Sequence, residues 1–312
     1  MMYKDRYYNH FTGKGTILPP QFSNNENYLM RFMAPLSDYI YEENNLTVIY
    51  FKKGTGELHW HDKKVFLQDD KFVITNPGEG WVYHNRSGDY IDVLSFVMCD
   101  SFKEEFDFYL KSSSKQLLDT PFERYRADSF FLECPLSARY YTSGKLLQNI
   151  YFVSGTKNYQ YLSPQEITIE VLQALCKDQL RAYSKAQKIE VAKSSTKMET
   201  FRRLLVAYEY IHDNFNRSFN LEELSRQCCL SKFHLYNSFK CVYGRTPHQY
   251  INRVRLNKAR HYLKNKGLTV TEVSDALGFA DIASFSKLYK KMYGESPSVL
   301  KYRNAETIKK LN

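Results

Sequence analysis

The sequence predicts an α+β fold in which a β-rich front part precedes an all-helical tail. Residues 40–98 hold short apolar runs separated by turn residues. After about residue 100 the apolar residues recur with helical spacing, and the last third of the chain repeats itself with a period of about 49 residues. A chain of 312 residues favours two cores over one, so we expect two domains.

The positive charge is confined to the tail. The formal net charge is +10, and residues 195–312 contain 21 Lys and Arg against 10 Asp and Glu. The residues before them contain 23 against 24. This asymmetry favours a nucleic-acid-binding tail joined to a separate sensing or assembly domain.

Several classes of protein are excluded by pattern. No apolar run approaches the roughly 18 residues of a membrane helix, and residues 1–15 lack the apolar stretch of a secretory signal. We therefore expect a cytoplasmic protein with no membrane partner. The six cysteines form no Cys-x-x-Cys pair, so neither structural zinc nor a disulfide framework is expected, and we predict no cofactor.

The front part is predicted to form a small β-sandwich or barrel, because its apolar runs are short and closely spaced. These runs are Leu46–Phe51, Glu57–His61, Val65–Leu67, Phe72–Asn76, Trp81–His84 and Tyr90–Met98.

Two helices are expected after the β core. Ser163 and Pro164 have the pattern of an N-cap followed by proline in the first turn, and the apolar spacing then continues to Tyr183. A shorter helix is predicted around Ser137–Tyr151. These apolar helices either pack only on the β core or also pair with a second copy, so a homodimer stays open.

The domain boundaries follow from a polar, Lys- and Ser-rich segment at residues 185–197, which we interpret as a linker. The front domain then covers residues 1–184, with its β core at about 40–98 and helices at about 137–184. The tail covers residues 198–312.

Each copy of the repeat predicts a short helix, a tight turn and a second helix. Capping-box spacing opens the first helices at Asn220 with Glu223 and at Thr269 with Glu272. The second helices are expected to begin near Ser231 and Asp281 and to end at Gly244 and Gly294. This arrangement is a helix-turn-helix unit, here at about 220–241 and 269–291.

One face of each second helix is expected to point away from the core. Leu235 and Phe239 would face inward in the first copy, and Phe285 and Tyr289 in the second. The outward faces are Phe233, Tyr236, Asn237 and Lys240, then Ala283, Ser286, Lys287 and Lys290 with Ile282 beside them. A helix from Pro247 to Lys264 joins the units and would hold them at a fixed separation.

The stretch from about Met198 to Arg303 resembles the DNA-binding domain of the AraC/XylS family of bacterial transcription regulators. The matching phrases are Gly278-Phe279-Ala280-Asp281, Phe285-Ser286, Tyr289-Lys290-Lys291 and Gly294-Glu295-Ser296-Pro297. Two departures are Cys229, where glycine is usual, and Ser225 and Ser274, where alanine is usual.

The resemblance implies a partner, a function and a set of contact residues. It implies double-stranded DNA and RNA polymerase as partners, and activation of transcription more than repression. With the outward faces, it gives these DNA-contacting candidates: Lys232, Phe233, Tyr236, Asn237, Lys240, Ile282, Ala283, Ser284, Lys287 and Lys290. Asn237 suits adenine, and Phe233 and Ile282 suit thymine methyl groups.

The β segment is similar to the cupin-like effector domain that often precedes this DNA-binding domain, through Gly54-Thr55-Gly56, Asn76-Pro77-Gly78 and His84. The resemblance implies an interior pocket for a small-molecule effector, and the aromatic residues suggest a sugar. The candidate effector-binding residues are Tyr50, His59, Trp60, His61, Trp81, Tyr83 and His84.

Two alternatives remain open. His59, His61 and His84 could belong to a metal-dependent cupin enzyme, but the Glu of that ligand set is absent, and no other catalytic motif is present. We therefore expect no enzyme and no metal. The other alternative is a ligand-independent regulator whose front domain only dimerises or meets a protein partner.

Overall fold

The computed structural model describes residues 4–12, 26–35, 38–60, 63–85, 90–111, 131–156, 163–190, 193–265 and 268–302. The chain divides into two compact units, Met1–Tyr183 and Ser184–Asn312. In the parts of the chain given by these ranges, no helix combines the length and the apolar character needed to cross a membrane.

The first unit contains two β-sheets. Its strands are β1 (Lys4–Thr12), β2 (Glu26–Pro35), β3 (Asp38–Asn44), β4 (Leu46–Lys53), β5 (Gly56–Trp60), β6 (Lys63–Leu67), β7 (Lys71–Thr75), β8 (Gly78–His84), β9 (Tyr90–Met98) and β10 (Leu136–Ser137). Sheet I has the order β1-β2-β9-β4-β7-β10, and sheet II has the order β3-β8-β5-β6. The β1–β2 pair is parallel and the other pairs are antiparallel.

Both sheets contribute to one apolar core. Ile49 and Phe51 from sheet I lie in the same buried cluster as Leu58, Trp81 and Tyr83 from sheet II. Burial of apolar area between the sheets holds them together. The mixed helix and sheet composition is confirmed, and β4 to β9 match the six predicted runs. The cupin-like topology stays a prediction.

The helices of the first unit are α1 (Asp100–Lys111), α2 (Thr142–Ser154) and α3 (Pro164–Ala186). α3 begins at Pro164 as predicted, and the Ser163 hydroxyl accepts a hydrogen bond from the Glu166 N–H at 3.3 Å. α2 begins later than predicted because residues 136–137 form β10, which pairs with β7.

The second unit is helical. Its helices are α4 (Ser194–Asp213), α5 (Leu221–Gln227), α6 (Lys232–Tyr243), α7 (Pro247–Asn265), α8 (Val270–Ala276) and α9 (Ile282–Tyr293), and residues 297–302 are also helical. The linker assignment at 185–197 needs correction, because α3 continues to Ala186 and α4 begins at Ser194.

Asp70 connects α2 to sheet I. Its carboxylate accepts hydrogen bonds from Tyr50 at 2.8 Å, Gln148 at 2.7 Å and Arg139 at 2.7 Å. Burial alone would raise the pKa of this carboxyl. The three hydrogen bonds together have the larger effect, so the pKa lies below its usual value. Because Arg139 is 68% exposed, its ion pair contributes less than the bonds from Tyr50 and Gln148.

We expect Asp70→Asn to lower the free energy of unfolding of the first unit by about 2 kcal/mol, because charge-assisted hydrogen bonds are lost. Asn tolerates the positive φ of 63° at this position. The control Arg139→Met should cost less than about 1 kcal/mol. Tryptophan fluorescence in a urea titration follows this unit selectively, because both tryptophans, Trp60 and Trp81, lie in it.

The lowered pKa of Asp70 predicts that the stability of the first unit depends on pH. A carboxyl whose folded pKa is lowered stabilises the fold above its unfolded pKa of about 4, and this stability is lost as the pH falls through the folded pKa. The acid-induced loss of stability should therefore be smaller in Asp70→Asn than in the wild type. An unchanged acid profile in the variant would contradict this role of Asp70.

Candidate nucleic-acid interface

The first helix-turn-helix unit consists of α5 and α6. The Asn220 side chain accepts from the Glu222 N–H at 2.8 Å, and the Ser231 hydroxyl accepts from the His234 N–H at 3.2 Å. Gly244 ends α6 in the left-handed region with φ of 70°. The predicted helix starts and the glycine stop are therefore confirmed. The capping box is wrong here, because the Glu223 carboxylate accepts from the Tyr210 hydroxyl at 2.5 Å instead.

The turns of the two units differ in one respect. Cys229 has φ of 51° and Gly278 has φ of 71°, so both positions need the left-handed conformation. A Cβ atom at Gly278 would lie 2.6 Å from the carbonyl oxygen of Asn216, which is closer than atoms can approach. The Cys229 side chain is exposed. The second turn therefore requires glycine for both conformation and space, whereas the first turn has space for a side chain.

The outward face of α6 carries large side chains in solvent. Leu235 and Phe239 are fully buried, whereas Phe233 is 73% exposed and Tyr236 is 43% exposed. Lys232, Asn237 and Lys240 are also exposed. Lys232 pairs with Glu222 at 3.5 Å, but such an exposed pair is weak and leaves the ammonium group available to another anion.

The second helix-turn-helix unit consists of α8 and α9, and its capping box is complete. The Thr269 hydroxyl accepts from the Glu272 N–H at 3.1 Å, and the Glu272 carboxylate accepts from the Thr269 N–H at 2.7 Å. Asp281 caps α9 by accepting from the Ser284 N–H at 2.6 Å and from its hydroxyl at 2.8 Å. The hydroxyl of Ser284, a predicted base contact, is thus partly engaged in the cap.

The outward face of α9 repeats the arrangement of α6. Phe285 and Tyr289 are fully buried, and Ile282 is 43% exposed. The remaining candidates on this helix are exposed at Ala283, Ser284, Lys287 and Lys290. Each second helix thus buries one apolar stripe that includes an aromatic residue, and it presents apolar and cationic side chains on the other side. Such faces can insert into a major groove and pair with phosphates.

Arg255 in α7 is a buried residue, and its spacing in the sequence indicates this burial. It lies four residues from Ile251 and four from Ala259, which are both buried, and Arg255 itself is only 6% exposed. The basic character of α7 masked this spacing, because charged residues are rarely found fully buried.

In the first unit a cavity of about 50 Å³ lies between the sheets, and two of the candidate effector residues, Trp81 and Tyr83, line it. Its other lining residues are Met30, Tyr39, Tyr41, Thr47, Ile49, Phe51, Leu58, Ile91, Val93, Ser95 and Val97.

Three predicted effector residues lie elsewhere, so the set needs correction. Tyr50 bonds to Asp70 and lies between Ile49 and Phe51, which line the cavity, so it faces the other side of its strand. His59 alternates with the cavity residue Leu58, and His84 alternates with Tyr83. His61 lies outside the described residues, as does the side chain of Trp60.

His59 and His84 lie together on the outer side of sheet II. Their ring centroids are 4.8 Å apart, and each has a carboxylate partner, Glu57 for His59 and Asp38 for His84. Among the described residues, which do not include His61, no group of three or more His, Cys, Asp or Glu side chains could hold a metal ion.

Comparison with known proteins gives a family match that lies within the second unit. A family profile described as a helix-turn-helix domain matches residues 224–303. The chain is 34% identical over 111 residues to the HTH-type transcriptional activator RhaS of Klebsiella pneumoniae, covering 36% of this chain and 39% of that protein. It is 33% identical over 96 residues to the MmsAB operon regulatory protein of Pseudomonas aeruginosa, covering 31% of each.

One solved structure with a match is a probable AraC family transcriptional regulator from Rhodopseudomonas palustris. It is 30% identical, covers 33% of this chain and 96% of that chain, and has a TM-score of 0.31. The chain spans about a third of the length of the curated relatives described above.

Two successive helix-turn-helix units, joined by α7 and presenting the outer faces of their second helices, define a double helix-turn-helix domain. Its motifs and relatives identify residues 224–303 as an AraC-type domain. The resemblance found in the sequence of this tail is thereby confirmed.

The two turns can be compared by substitution. Cys229→Gly should change the free energy of unfolding by less than about 1 kcal/mol, because relief of strain is offset by the greater freedom of glycine in the unfolded chain. Gly278→Ala should lower it by about 2 kcal/mol or more, because positive φ and contact with Asn216 both oppose the methyl group. Urea titration followed by far-ultraviolet circular dichroism measures both, and equal effects would contradict the asymmetry.

Proposed function

We propose that this chain is a sequence-specific DNA-binding transcription regulator of the cytoplasm. The observation that carries the proposal is the pair of exposed second-helix faces. Phe233, Tyr236 and Ile282 are large apolar or aromatic side chains left in solvent, and they lie in a segment with 21 Lys and Arg against 10 Asp and Glu. Exposure of such apolar side chains to water is unfavourable in the free protein, and an exposed apolar face is typical of a binding surface.

The two faces would read successive major-groove segments on one side of a duplex. Asn237 suits a bidentate contact to adenine, and Phe233, Ile282 and Ala283 suit thymine methyl groups, so the site should lean towards A·T pairs. Lys240, Lys287 and Lys290 lie on the same faces and would pair with phosphates, which makes the affinity fall as salt rises.

Activation of transcription is the direction that we propose, with RNA polymerase as the protein partner. The support is the similarity of the tail to a relative whose name describes a transcriptional activator. No residue of this chain is assigned to that contact.

The first unit is proposed to bind a small-molecule effector in the cavity between its sheets. A volume of about 50 Å³ is below the roughly 300 Å³ of typical ligand pockets, so a ligand must widen it. The hydroxyls of Thr47 and Tyr83 already bond to backbone carbonyls. The lining therefore suits an apolar molecule better than the sugar suggested by the aromatic residues.

Trp81 adds a hydrogen-bond donor to the residues that line the cavity. The indole N–H of Trp81 is buried and has no hydrogen-bond partner among the described residues. An apolar molecule with one acceptor group would bind this donor and bury the rest of its surface.

A regulator whose front unit only dimerises is the second candidate. Phe152 in α2 and Leu180 in α3 are 76% and 69% exposed. Exposed apolar side chains on these two helices support pairing with a second copy. Sedimentation velocity of the full chain without ligand measures this pairing directly.

Selection from a random-sequence duplex pool tests DNA reading. The full chain should enrich a site with two half-motifs about 10 base pairs apart, and binding should weaken as salt rises. Asn237→Ala should cost about 1–3 kcal/mol and relax one base position, and combining it with Lys287→Ala should abolish enrichment. Gln173→Ala, an exposed amide in the first unit, is the matched control. Salt-sensitive binding without any enriched sequence would contradict base reading.

Thermal unfolding followed by tryptophan fluorescence tests the effector class. Small apolar compounds with one acceptor group should raise the Tm of the first unit, and a panel of sugars should not. Val93→Met, which adds volume at the cavity wall, should reduce the shift. A shift produced by a sugar and kept in Val93→Met would overturn the assignment of both site and ligand class.

A further inference from the structure

The two helix-turn-helix units touch each other away from α7. The segment at residues 214–220 leads from α4 into α5, the first helix of the first helix-turn-helix unit; we call it the entry loop. Its backbone lies against the turn of the second helix-turn-helix unit, because a Cβ atom at Gly278 would meet the Asn216 carbonyl oxygen at 2.6 Å and the Arg217 carbonyl oxygen at 3.2 Å. Only glycine permits this approach.

Arg255 holds the entry loop from the middle of α7. Its Nε donates to the Phe215 carbonyl at 2.6 Å and its Nη2 donates to the Arg217 carbonyl at 2.5 Å. The side chain is 6% exposed, and burial lowers the pKa of its guanidinium. The planar fork satisfies two backbone acceptors at once, which the single ammonium group of lysine does with poorer geometry.

Arg255 and Phe215 also contact the core of the second helix-turn-helix unit. The Arg255 guanidinium lies 5.5 Å from the ring centroid of Phe279, and the Phe215 ring packs against the apolar cluster that contains Phe279 and Phe285. Lys258 lies over the Phe215 ring, with its Nζ 4.2 Å from the ring centroid. The entry loop, α7 and the second turn therefore form one contact, which we call the joint.

We propose that Arg255 is a positioning residue for two-site DNA recognition, because the joint fixes the distance and rotation between α6 and α9. The inference rests on the proposed function and extends it from the faces that read bases to the contact that sets their spacing. A helix can bend, so α7 alone leaves the two faces with some freedom. A second contact beside it removes that freedom and raises the effective concentration of one face once the other has bound.

Three variants separate positioning from other roles. Arg255→Met keeps the length and apolar stem but removes both hydrogen bonds. Arg255→Lys keeps the charge and should restore part of the effect. Arg253→Met is the matched control, since Arg253 lies on the same helix but is exposed, and its loss should weaken binding to all sites by a similar factor.

The binding experiment uses the full chain and the duplex enriched from the random pool. Derivatives carry one scrambled half-motif, or one base pair inserted between the half-motifs. The wild type should bind the complete site roughly a hundred-fold tighter than a single half-motif. In Arg255→Met the half-motif affinity should stay within about two-fold of wild type, while the gain from the second half-motif falls roughly ten-fold and the insertion penalty shrinks.

A merely structural role gives a different result. If Arg255 only stabilises the domain, Arg255→Met will lose half-motif affinity and complete-site affinity by equal factors and keep the insertion penalty. That outcome, or an unchanged gain from the second half-motif, overturns the proposal.

A distance measurement tests the joint without DNA. Nitroxides are placed at Lys240 and Lys290, which are exposed on α6 and α9, through an unnatural ketone-bearing residue because Cys229 and Cys241 are exposed. The distance distribution should be narrow in the wild type and in Arg253→Met and broader in Arg255→Met. An equally narrow distribution in Arg255→Met refutes the joint. If no duplex is enriched, the proposed function fails while this measurement still decides the joint.

Discussion

Burial of one apolar stripe on each second helix is the constraint on which the rest of the domain depends. Phe239 in α6 and Tyr289 in α9 are fully buried, and each fixes the rotation of its helix about its own axis. Because a helix repeats every 3.6 residues, the opposite face is then set in solvent. The core contact and the exposed reading face are therefore two consequences of one spacing in the sequence.

The two units resemble each other in this burial but differ in their surroundings. The turn at Cys229 has space for a side chain, whereas the turn at Gly278 lies against the backbone of the entry loop. The departure from glycine at Cys229 is tolerated because that turn needs only a positive φ, at a cost of about 1–2 kcal/mol for a residue other than glycine. The second turn has lost that tolerance because it forms part of the joint with Arg255.

Local signals predicted much of the fold. Caps at Asn220, Thr269 and Asp281 and the stops at Gly244 and Gly294 depend on neighbouring residues, and all five were found where the sequence placed them. The strands β1 to β3 were not predicted. In β2, Tyr28, Leu29 and Met30 are buried in succession, so the alternation that marks a half-exposed strand is absent.

Properties that depend on tertiary contacts could not be predicted in the same way. Side chains alternate along a β-strand, so the sequence places His59 and Leu58 on opposite faces of the sheet. It does not indicate which of the two residues faces the cavity. The hydrogen-bond partners of Arg255 are carbonyls of the entry loop, about 40 residues away in the chain. Such pairings appear only once the helices have been packed.

Reading by both second helices is tested by protection of purine N7 atoms, of adenine as well as guanine, from chemical modification on the enriched duplex, since N7 lies in the major groove. With the full chain bound, we expect two protected segments about 10 base pairs apart on one face of the duplex. Loss of the segment nearest one half-motif should follow from Asn237→Ala and loss of the other from Lys287→Ala. A single protected segment, or protection unaffected by either change, would contradict reading by both second helices.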